Sequence, residues 1–340
     1  IGAFEADLAK LEVKLNASTV ENFAPIAITF EAVADAADDT CTYEWDFGDG
    51  ATDTTAESTV THLYALASNY TARVKLVKGT EEVEDSLALH LVPRIMRVKG
   101  GNLNAAVPYD TVYNAASNVA QALEAAIPQC VIEVEPGLVN EKVALRVDKS
   151  VTIRGRTGDP SDVVVSGADG GNSYNWYFDL ADSKASFESL TLRSLSSHRL
   201  ARIDVQGGMF SNCVVTGPSY EIAIKNMATN GLVTHCVISN SYLDGIGGGG
   251  EAWKGIYIAT AKGRISNTLI TGCSVSGNDN SAIITARGQV DHCTVVGNDV
   301  RRKGGLALQF QPGATAEEVV RDSIFAANTV NGVPALHIKL

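Results

Sequence analysis

The side chains that could do acid–base chemistry in the second half of the chain are spread over short, repeated segments. Glycoside hydrolysis needs two carboxyl groups about 5–9.5 Å apart. His235 and His292 could act as acid or base, but each lies inside a phrase that recurs along the chain. The outward positions of one predicted strand face offer a single carboxylate; these positions are Asp204, Lys225, Tyr257, Thr285, Gln309 and His337. The pattern predicts no catalytic residues and a chain that is not an enzyme.

An insertion at 241–254, SYLDGIGGGGEAWK, is the one departure from regular coils. Its four consecutive glycines predict a flexible loop. Glu251, Trp253 and Tyr257 could bond and stack on a sugar, because aromatic rings offer a flat apolar face. A turn that only connects two strands would have the same composition. Both interpretations remain open, and carbohydrate contact is the functional one.

The six cysteines do not indicate a metal site. No CxxC pair and no Cys/His zinc spacing occurs, so we expect no metal and no cofactor. Cys213, Cys236 and Cys293 fall at equivalent places in the repeat and are predicted to point inward as small apolar residues, reduced and stacked.

The repeated phrase determines the predicted architecture. It reads GMFSNCVV, GLVTHCVI, GRISNTLI and GQVDHCTV, with looser copies before and after. Its equivalent positions are separated by 23, 23, 32, 25 and 30 residues; they are Leu190, Cys213, Cys236, Thr268, Cys293 and Ser323. A repeat of this length, made of short strands broken by Gly and Asn, is typical of a solenoid.

Two corners are predicted in each repeat. In the copy GMFSNCVV, Phe210 lies three residues before Cys213, and Val215 lies two residues after it. An odd step between inward positions requires a turn. The residues at that turn should stack as a structural ladder; they are Asn212, His235, Asn267, His292 and Asp322. A glycine column marks the second corner; it contains Gly208, Gly231, Gly263 and Gly288.

Three short strands per turn predict a right-handed parallel β-helix over 131–340. Seven coils spaced about 4.8 Å apart would extend roughly 34 Å. Residues 111–127 carry Val119, Leu123 and Ile127 on one helical face, so we expect a capping helix over the first coil. The C-terminal end carries no such cap, and we expect the β-helix to be incomplete there.

Residues 12–92 contain alternating short strands and the run Trp45-Asp46-Phe47-Gly48-Asp49-Gly50. This run resembles the PKD domain, an immunoglobulin-like β-sandwich, at every position of the family's WDFGDG motif. The resemblance implies an all-β chain with an N-terminal sandwich. Asp46 and Asp49 suit Ca²⁺ chemistry, although bonding to the backbone of the turn is the favoured role.

The passage 98–155 resembles the opening of pectin-lyase-like β-helix proteins on bacterial surfaces, and the likeness extends over most of 98–340. Polygalacturonase-like enzymes of this fold carry paired Asp residues, Gly-His-Gly and Arg-Ile-Lys. Here Asp38-Asp39 lies in the sandwich, no Gly-His-Gly occurs, and Arg202-Ile203-Asp204 departs from the third motif.

The net charge of −12, with no basic stretch beyond Arg301-Arg302-Lys303, argues against nucleic acid. No apolar run is long enough to cross a membrane. The resemblances imply an extracellular or cell-surface location. We therefore expect a structural or adhesive protein, one period of a tandem array or a subunit of a head-to-tail filament. A polysaccharide lyase, glycoside hydrolase or carbohydrate-binding protein is the alternative.

The predicted organisation has four parts. Residues 1–11 are the tail of a preceding β-helix or a linker, and 12–92 form the sandwich. Residues 93–130 are a linker with the capping helix, and 131–340 form the β-helix. The expected partners are further copies or repeats end to end, with polysaccharide as a second possibility.

Overall fold

The chain divides into two compact units, Ile1–Arg94 and Ile95–Leu340. The structure is a computed structural model. It describes residues 10–167, 176–194, 201–217, 220–224, 231–241, 256–275, 282–301, 306–310, 320–334 and 338–339.

The first unit is a β-sandwich of two sheets. Its strands are β1 (Glu12–Ala17), β2 (Glu21–Phe23), β3 (Ile26–Asp35), β4 (Thr42–Asp46), β5 (Thr52–Thr55), β6 (Thr59–Tyr64), β7 (Ser68–Lys78) and β8 (Glu81–Val92). One sheet has the order β1-β3-β6 and the other β2-β8-β7-β4-β5. The alternating apolar residues of these strands face each other, as the sequence predicted.

The core of the sandwich is aromatic. Trp45, Phe47 and Tyr64 are buried in it, and the Tyr64 hydroxyl donates to the Phe47 carbonyl at 2.9 Å. Gly48 has a φ of +76°, and an added Cβ would collide with the backbone of Thr71. Only glycine suits such a position, which explains the turn of the motif.

The second unit starts with β9 (Ile95–Val98) and α1 (Val119–Ala125), and the first coils follow. Their strands are β10 (Val131–Val134), β11 (Gly137–Glu141), β12 (Leu145–Val147), β13 (Thr152–Gly155), β14 (Val163–Gly167), β15 (Trp176–Leu180), β16 (Ser186–Glu188), β17 (Thr191–Ser194), β18 (Ala201–Val205), β19 (Met209–Ser211), β20 (Val214–Thr216), β21 (Tyr220–Ile224), β22 (Leu232–Thr234) and β23 (Val237–Ser239). The later strands are β24 (Ile256–Ile258), β25 (Arg264–Ser266), β26 (Leu269–Thr271), β27 (Ser274–Val275), β28 (Ala282–Ala286), β29 (Gln289–Asp291), β30 (Thr294–Val296), β31 (Asp299–Val300), β32 (Leu306–Phe310), β33 (Val320–Arg321), β34 (Ile324–Ala326), β35 (Thr329–Val330), β36 (Val333–Pro334) and β37 (Ile338–Lys339).

These strands form sheets that the chain visits in turn, and their pairs are parallel except for the antiparallel pair β35–β36. Sheet I has the order β9-β10-β13-β16-β19-β22-β25-β29-β33, and sheet II has the order β11-β14-β17-β20-β23-β26-β30-β34. Sheet III is β12-β15-β18-β21-β24-β28-β32-β37, and the short sheet IV is β27-β31-β35-β36. Crossovers between parallel strands are right-handed. The unit is a right-handed parallel β-helix, and the predicted all-β fold class is confirmed.

Hydrogen bonds between coils reproduce the predicted alignment of the repeat. The amide of Val214 donates to the Leu190 carbonyl, that of Val237 to Cys213 and that of Leu269 to Cys236, at 2.9–3.0 Å. In the same way, the amide of Thr294 donates to the Thr268 carbonyl, and the amide of Ile324 donates to the Cys293 carbonyl. Each predicted position therefore lies one coil from the next, across intervals of unequal length.

Apolar columns fill the interior. On sheet I the column Phe187, Phe210, Val233, Ile265 and Val290 is fully buried, and its members are in register. The Phe187 and Phe210 rings stack with centroids 5.6 Å apart. Burying one such side chain contributes about 1.5–3 kcal/mol, so each coil is stabilised mainly by its neighbours above and below.

A column of small side chains lies beside the first corner. Cys236 Sγ lies 3.1 Å from the Thr234 carbonyl, and Thr268 Oγ1 makes the equivalent bond to Ser266 at 2.8 Å. All six cysteines are buried thiols. Burial raises the pKa of the Cys236 thiol to about 12, so it stays protonated. Thiol and hydroxyl are interchangeable at this position.

The first corner is left-handed in the five coils for which the sequence predicted a stacked corner residue. Its φ values lie between 46° and 53°, and its residues are Asn212, His235, Asn267, His292 and Asp322. The Asn212 amide donates to the Thr234 carbonyl of the next coil at 3.1 Å, and the Asn267 amide does the same to Asp291. Hydrogen bonds between the corner side chains of neighbouring coils are fewer. In one of them, Asn212 Nδ2 donates to Ser189 Oγ at 3.0 Å. The main chain is therefore the principal bond between corners.

The start of the β-helix differs from the prediction. Strand β9 already belongs to sheet I, so the β-helix begins at Ile95 and not at 131. The helix is shorter than 111–127, because the Asn118 side chain caps it by accepting from the Gln121 amide. Buried Glu141 accepts from the amides of Val119 and Ala120 at 2.6 and 3.2 Å. These two hydrogen bonds link the capping helix to β11. Burial raises the pKa of the Glu141 carboxyl.

The thiol column gives a first prediction. Replacing Cys236 by Asp should lower the free energy of unfolding by more than about 3 kcal/mol, because it buries a charge without a partner. Cys236→Ser should change it by about 1 kcal/mol or less, because Ser323 occupies the same column. Denaturant unfolding measures both variants. Equal losses in the two would contradict the packing described for this column.

The corner gives a second prediction. His292→Asn should change the free energy of unfolding by no more than about 0.5 kcal/mol, because Asn tolerates left-handed backbone. His292→Val should lose about 1–2 kcal/mol, because a β-branched residue is strained at positive φ. Thermal and denaturant unfolding of both variants provide the comparison. A large loss in His292→Asn alone would mean that the imidazole itself is needed.

Candidate functional site

Two carboxylates lie side by side on the outer face of sheet III. Asp179 on β15 is in register with Asp204 on β18, and the two residues are 0% and 1% exposed. Neighbouring strands are about 4.8 Å apart, which is close to the separation of about 5–5.5 Å in retaining glycosidases. The prediction that this face holds no carboxylate pair was therefore wrong.

The pair was missed because the predicted column began at Asp204. The signal was present in the sequence: WYFDL at 176–180 and ARIDV at 201–205 both carry Asp at the fourth position. The interval between the two strands contains no copy of the better-defined phrase, so the first of them was not aligned with the later coils.

The environment of Asp179 is that of a fixed ion. Gln206 Nε2 donates to its Oδ1 at 2.7 Å, and Arg146 Nη1 donates to its Oδ2 at 3.2 Å. Arg146 is 61% exposed while Asp179 is buried, so the cation reaches the carboxylate from the surface. A buried carboxylate is stable only with such partners. Burial of both aspartates leaves no surface on them for a substrate.

The predicted sugar-binding residues are not brought together. Glu251 and Trp253 lie outside the described residues. Tyr257 is on the same outer face as the aspartates, paired with Thr285 on the next coil, but it is only 5% exposed. Its ring is covered and cannot stack on a sugar in this conformation. The Thr285 Oγ1 beside it is buried without a hydrogen-bond partner among the described residues.

The glutamates of the first coils are ion-paired. Arg97 Nη1 lies 3.0 Å from Glu133 Oε2 and 3.2 Å from Glu135 Oε1. Arg154 pairs with Glu133 at 2.6 Å, and Arg156 pairs with Glu135 at 2.8 Å. This alternation of charge holds three coils in register, which is a structural role.

The acidic residues of the sandwich turn bond the backbone. Asp46 Oδ1 accepts from the Gly48 amide at 2.8 Å, and Asp49 Oδ1 accepts from the Ala51 amide at 3.0 Å. Asp49 Oδ2 also lies 2.7 Å from His62 Nε2. Within the described ranges no group of three or more His, Cys, Asp and Glu side chains could hold a metal ion.

The described part of the chain contains no helix that is both long and apolar enough to cross a membrane.

A search of curated proteins found no match to this chain. One similar solved structure is the family 28 exopolygalacturonase of Yersinia enterocolitica, with 9% identity and a TM-score of 0.20 over 95% of this chain and 96% of that one. At this score the likeness supports no conclusion about the present chain.

The sequence model of the PKD domain matches residues 14–89. This range begins within β1 and ends within β8, and it includes the WDFGDG turn and its aromatic core. The predicted resemblance is confirmed for this unit by an independent comparison. The chain thus carries a PKD domain at its N-terminal end, and a right-handed parallel β-helix follows it.

Proposed function

We propose that this chain is a structural or adhesive protein of the cell surface or extracellular space. The observation that carries the proposal is the interchange of residues at equivalent positions of successive coils. Asn, His and Asp occupy the left-handed corner, and Cys, Thr and Ser occupy the column beside it. The residue types at each of these positions share a backbone conformation or a side-chain size. A catalytic position would instead require one particular functional group.

The PKD domain supports the proposed location, because such domains occur in extracellular and surface proteins. A β-helix supports it physically. Each coil is bonded to its neighbours by main-chain hydrogen bonds and by interior columns, which makes a stiff spacer from short strands.

The last described coil supports end-to-end association. Phe325 and Val330 continue the columns of Val295 and Val300, but they are half-buried where the previous coil is fully buried. A second copy of the chain that packs against this coil would cover them. Sedimentation velocity tests this proposal: particles that lengthen with concentration support it, and a monomer at every concentration counts against association between copies.

A carbohydrate-active enzyme is the second candidate, and the Asp179–Asp204 pair is the observation that favours it. Against it stand the burial of both carboxylates and the contacts of Asp179 with Arg146 and Gln206. In a glycosidase the two groups must reach the scissile bond from the solvent side.

An activity assay separates the two candidates. We expect no reducing ends and no unsaturated products from a panel of neutral and acidic polysaccharides. Turnover that disappears in Asp204→Asn and Asp179→Asn, but persists in the exposed control Asp148→Asn, would overturn the structural proposal. Circular dichroism of each variant confirms that the fold is intact.

A further inference from the structure

A groove crosses the outer face of sheet I, on a different side of the β-helix from the aspartate pair. Its volume is about 670 Å³. The lining residues come from successive coils and from the turns before their sheet I strands; they include Lys184, Met209, Leu232, Lys262, Arg264 and Gln289.

The groove follows the stacking direction of the coils. Ser186, Met209, Leu232, Arg264 and Gln289 are consecutive partners in register along sheet I. Four steps of about 4.8 Å give a length of roughly 19 Å. A linear polymer could lie along such a groove and meet one strand start after another, whereas a single small molecule would leave most of it empty.

The floor of the groove is low because two of its lining positions are glycines. Gly208 has a φ of +68°, and an added Cβ would collide with the carbonyl oxygen of Ala185. The amide of Leu232 donates to the Gly208 carbonyl, and that of Arg264 donates to the Gly231 carbonyl. The requirement for close stacking thus leaves a depression between the side chains of neighbouring coils.

The charge of the groove is opposite to that of the chain. Lys184, Lys262 and Arg264 are the charged residues among its lining, and no carboxylate lines it, although the chain has a net charge of −12. Both lysines are exposed. Neither ammonium group forms an ion pair with any residue in the described ranges. A local excess of positive charge on an acidic protein favours an anionic ligand.

Arg264 is held in a fixed orientation. Its Nε and Nη2 donate to the two carboxylate oxygens of Asp291 at 2.7 and 2.6 Å, and the hydrogen bond from Arg264 lowers the pKa of Asp291. The side chain remains 47% exposed. Asp291 balances its charge, so Arg264 offers its remaining N–H groups as oriented donors while the two lysines supply the net charge.

We propose that this groove binds a linear anionic polysaccharide. Lys184 lies near one end of the groove, Lys262 and Arg264 lie together three coils further along, and these three side chains contact the ligand. Half-buried Met209 and Leu232 offer an apolar surface to sugar rings, and Gln289 offers an amide for hydroxyl groups. Nucleic acid fits less well, because its binding relies on many phosphate contacts and the acidic chain would repel it. The inference names a ligand for the adhesive role proposed above and rests on that role.

Binding to alginate, dextran sulfate, neutral dextran and duplex DNA tests the proposal with the whole chain, by isothermal titration at low ionic strength. We expect alginate or dextran sulfate to bind, with an affinity that falls as NaCl is added. The preferred one of the two shows whether carboxylate or sulfate is recognised. Absence of binding to both, equal binding of neutral dextran, or tighter binding of DNA would overturn the proposal.

A matched pair of variants locates the site. Lys184→Gln combined with Lys262→Gln should weaken binding by about tenfold, because two exposed ion pairs are lost. Lys99→Gln combined with Lys142→Gln changes the net charge equally at exposed lysines outside the groove, and should change affinity by about twofold or less. Equal losses in the two double variants would show that net charge alone matters and would overturn the groove. A failure here leaves a structural surface role standing, since the activity and sedimentation measurements test that role separately.

Discussion

Main-chain hydrogen bonds from each coil to the next are the interaction on which the rest of the β-helix depends. They form only when successive coils are in register, and the bonds of Val214, Val237 and Leu269 to the preceding coil show that register at the corner. The register fixes which side chains are stacked. It requires left-handed residues at the first corner, and close backbone approach at glycines such as Gly208.

The same register determines what the outer faces can do. Stacking in register puts like positions about 4.8 Å apart, so a charge on one coil must meet a compatible neighbour on the next. Arg97, Glu133 and Arg154 satisfy this by alternating sign. Asp179 beside Asp204 does not, and it is stabilised by Arg146 and Gln206. Along the start of the sheet I strands, where Gly208 and Gly231 line the surface, a long open groove remains.

The repeated phrase made the corners, the thiol column and the three-strand coil predictable, because their spacing is local. The PKD domain was predictable for the same reason, through the turn at Gly48-Asp49-Gly50. What was missed depends on pairing between distant segments. Strand β15 lies outside the phrase, so Asp179 was not aligned with Asp204. The groove also arises from side chains on different coils, whose common surface exists only after folding. The helix was predicted too long because Asn118 caps it inside its apolar pattern.

Amide hydrogen exchange measured residue by residue is the most direct test of in-register stacking. The corner amides of Asn212, His235 and Asn267 donate to the next coil, and they should exchange slowly and with similar protection, because opening one coil exposes its neighbours. The amides of the exposed residues 142–144 provide the fast reference within the same unit. Corner amides that exchange as fast as this reference would contradict the account.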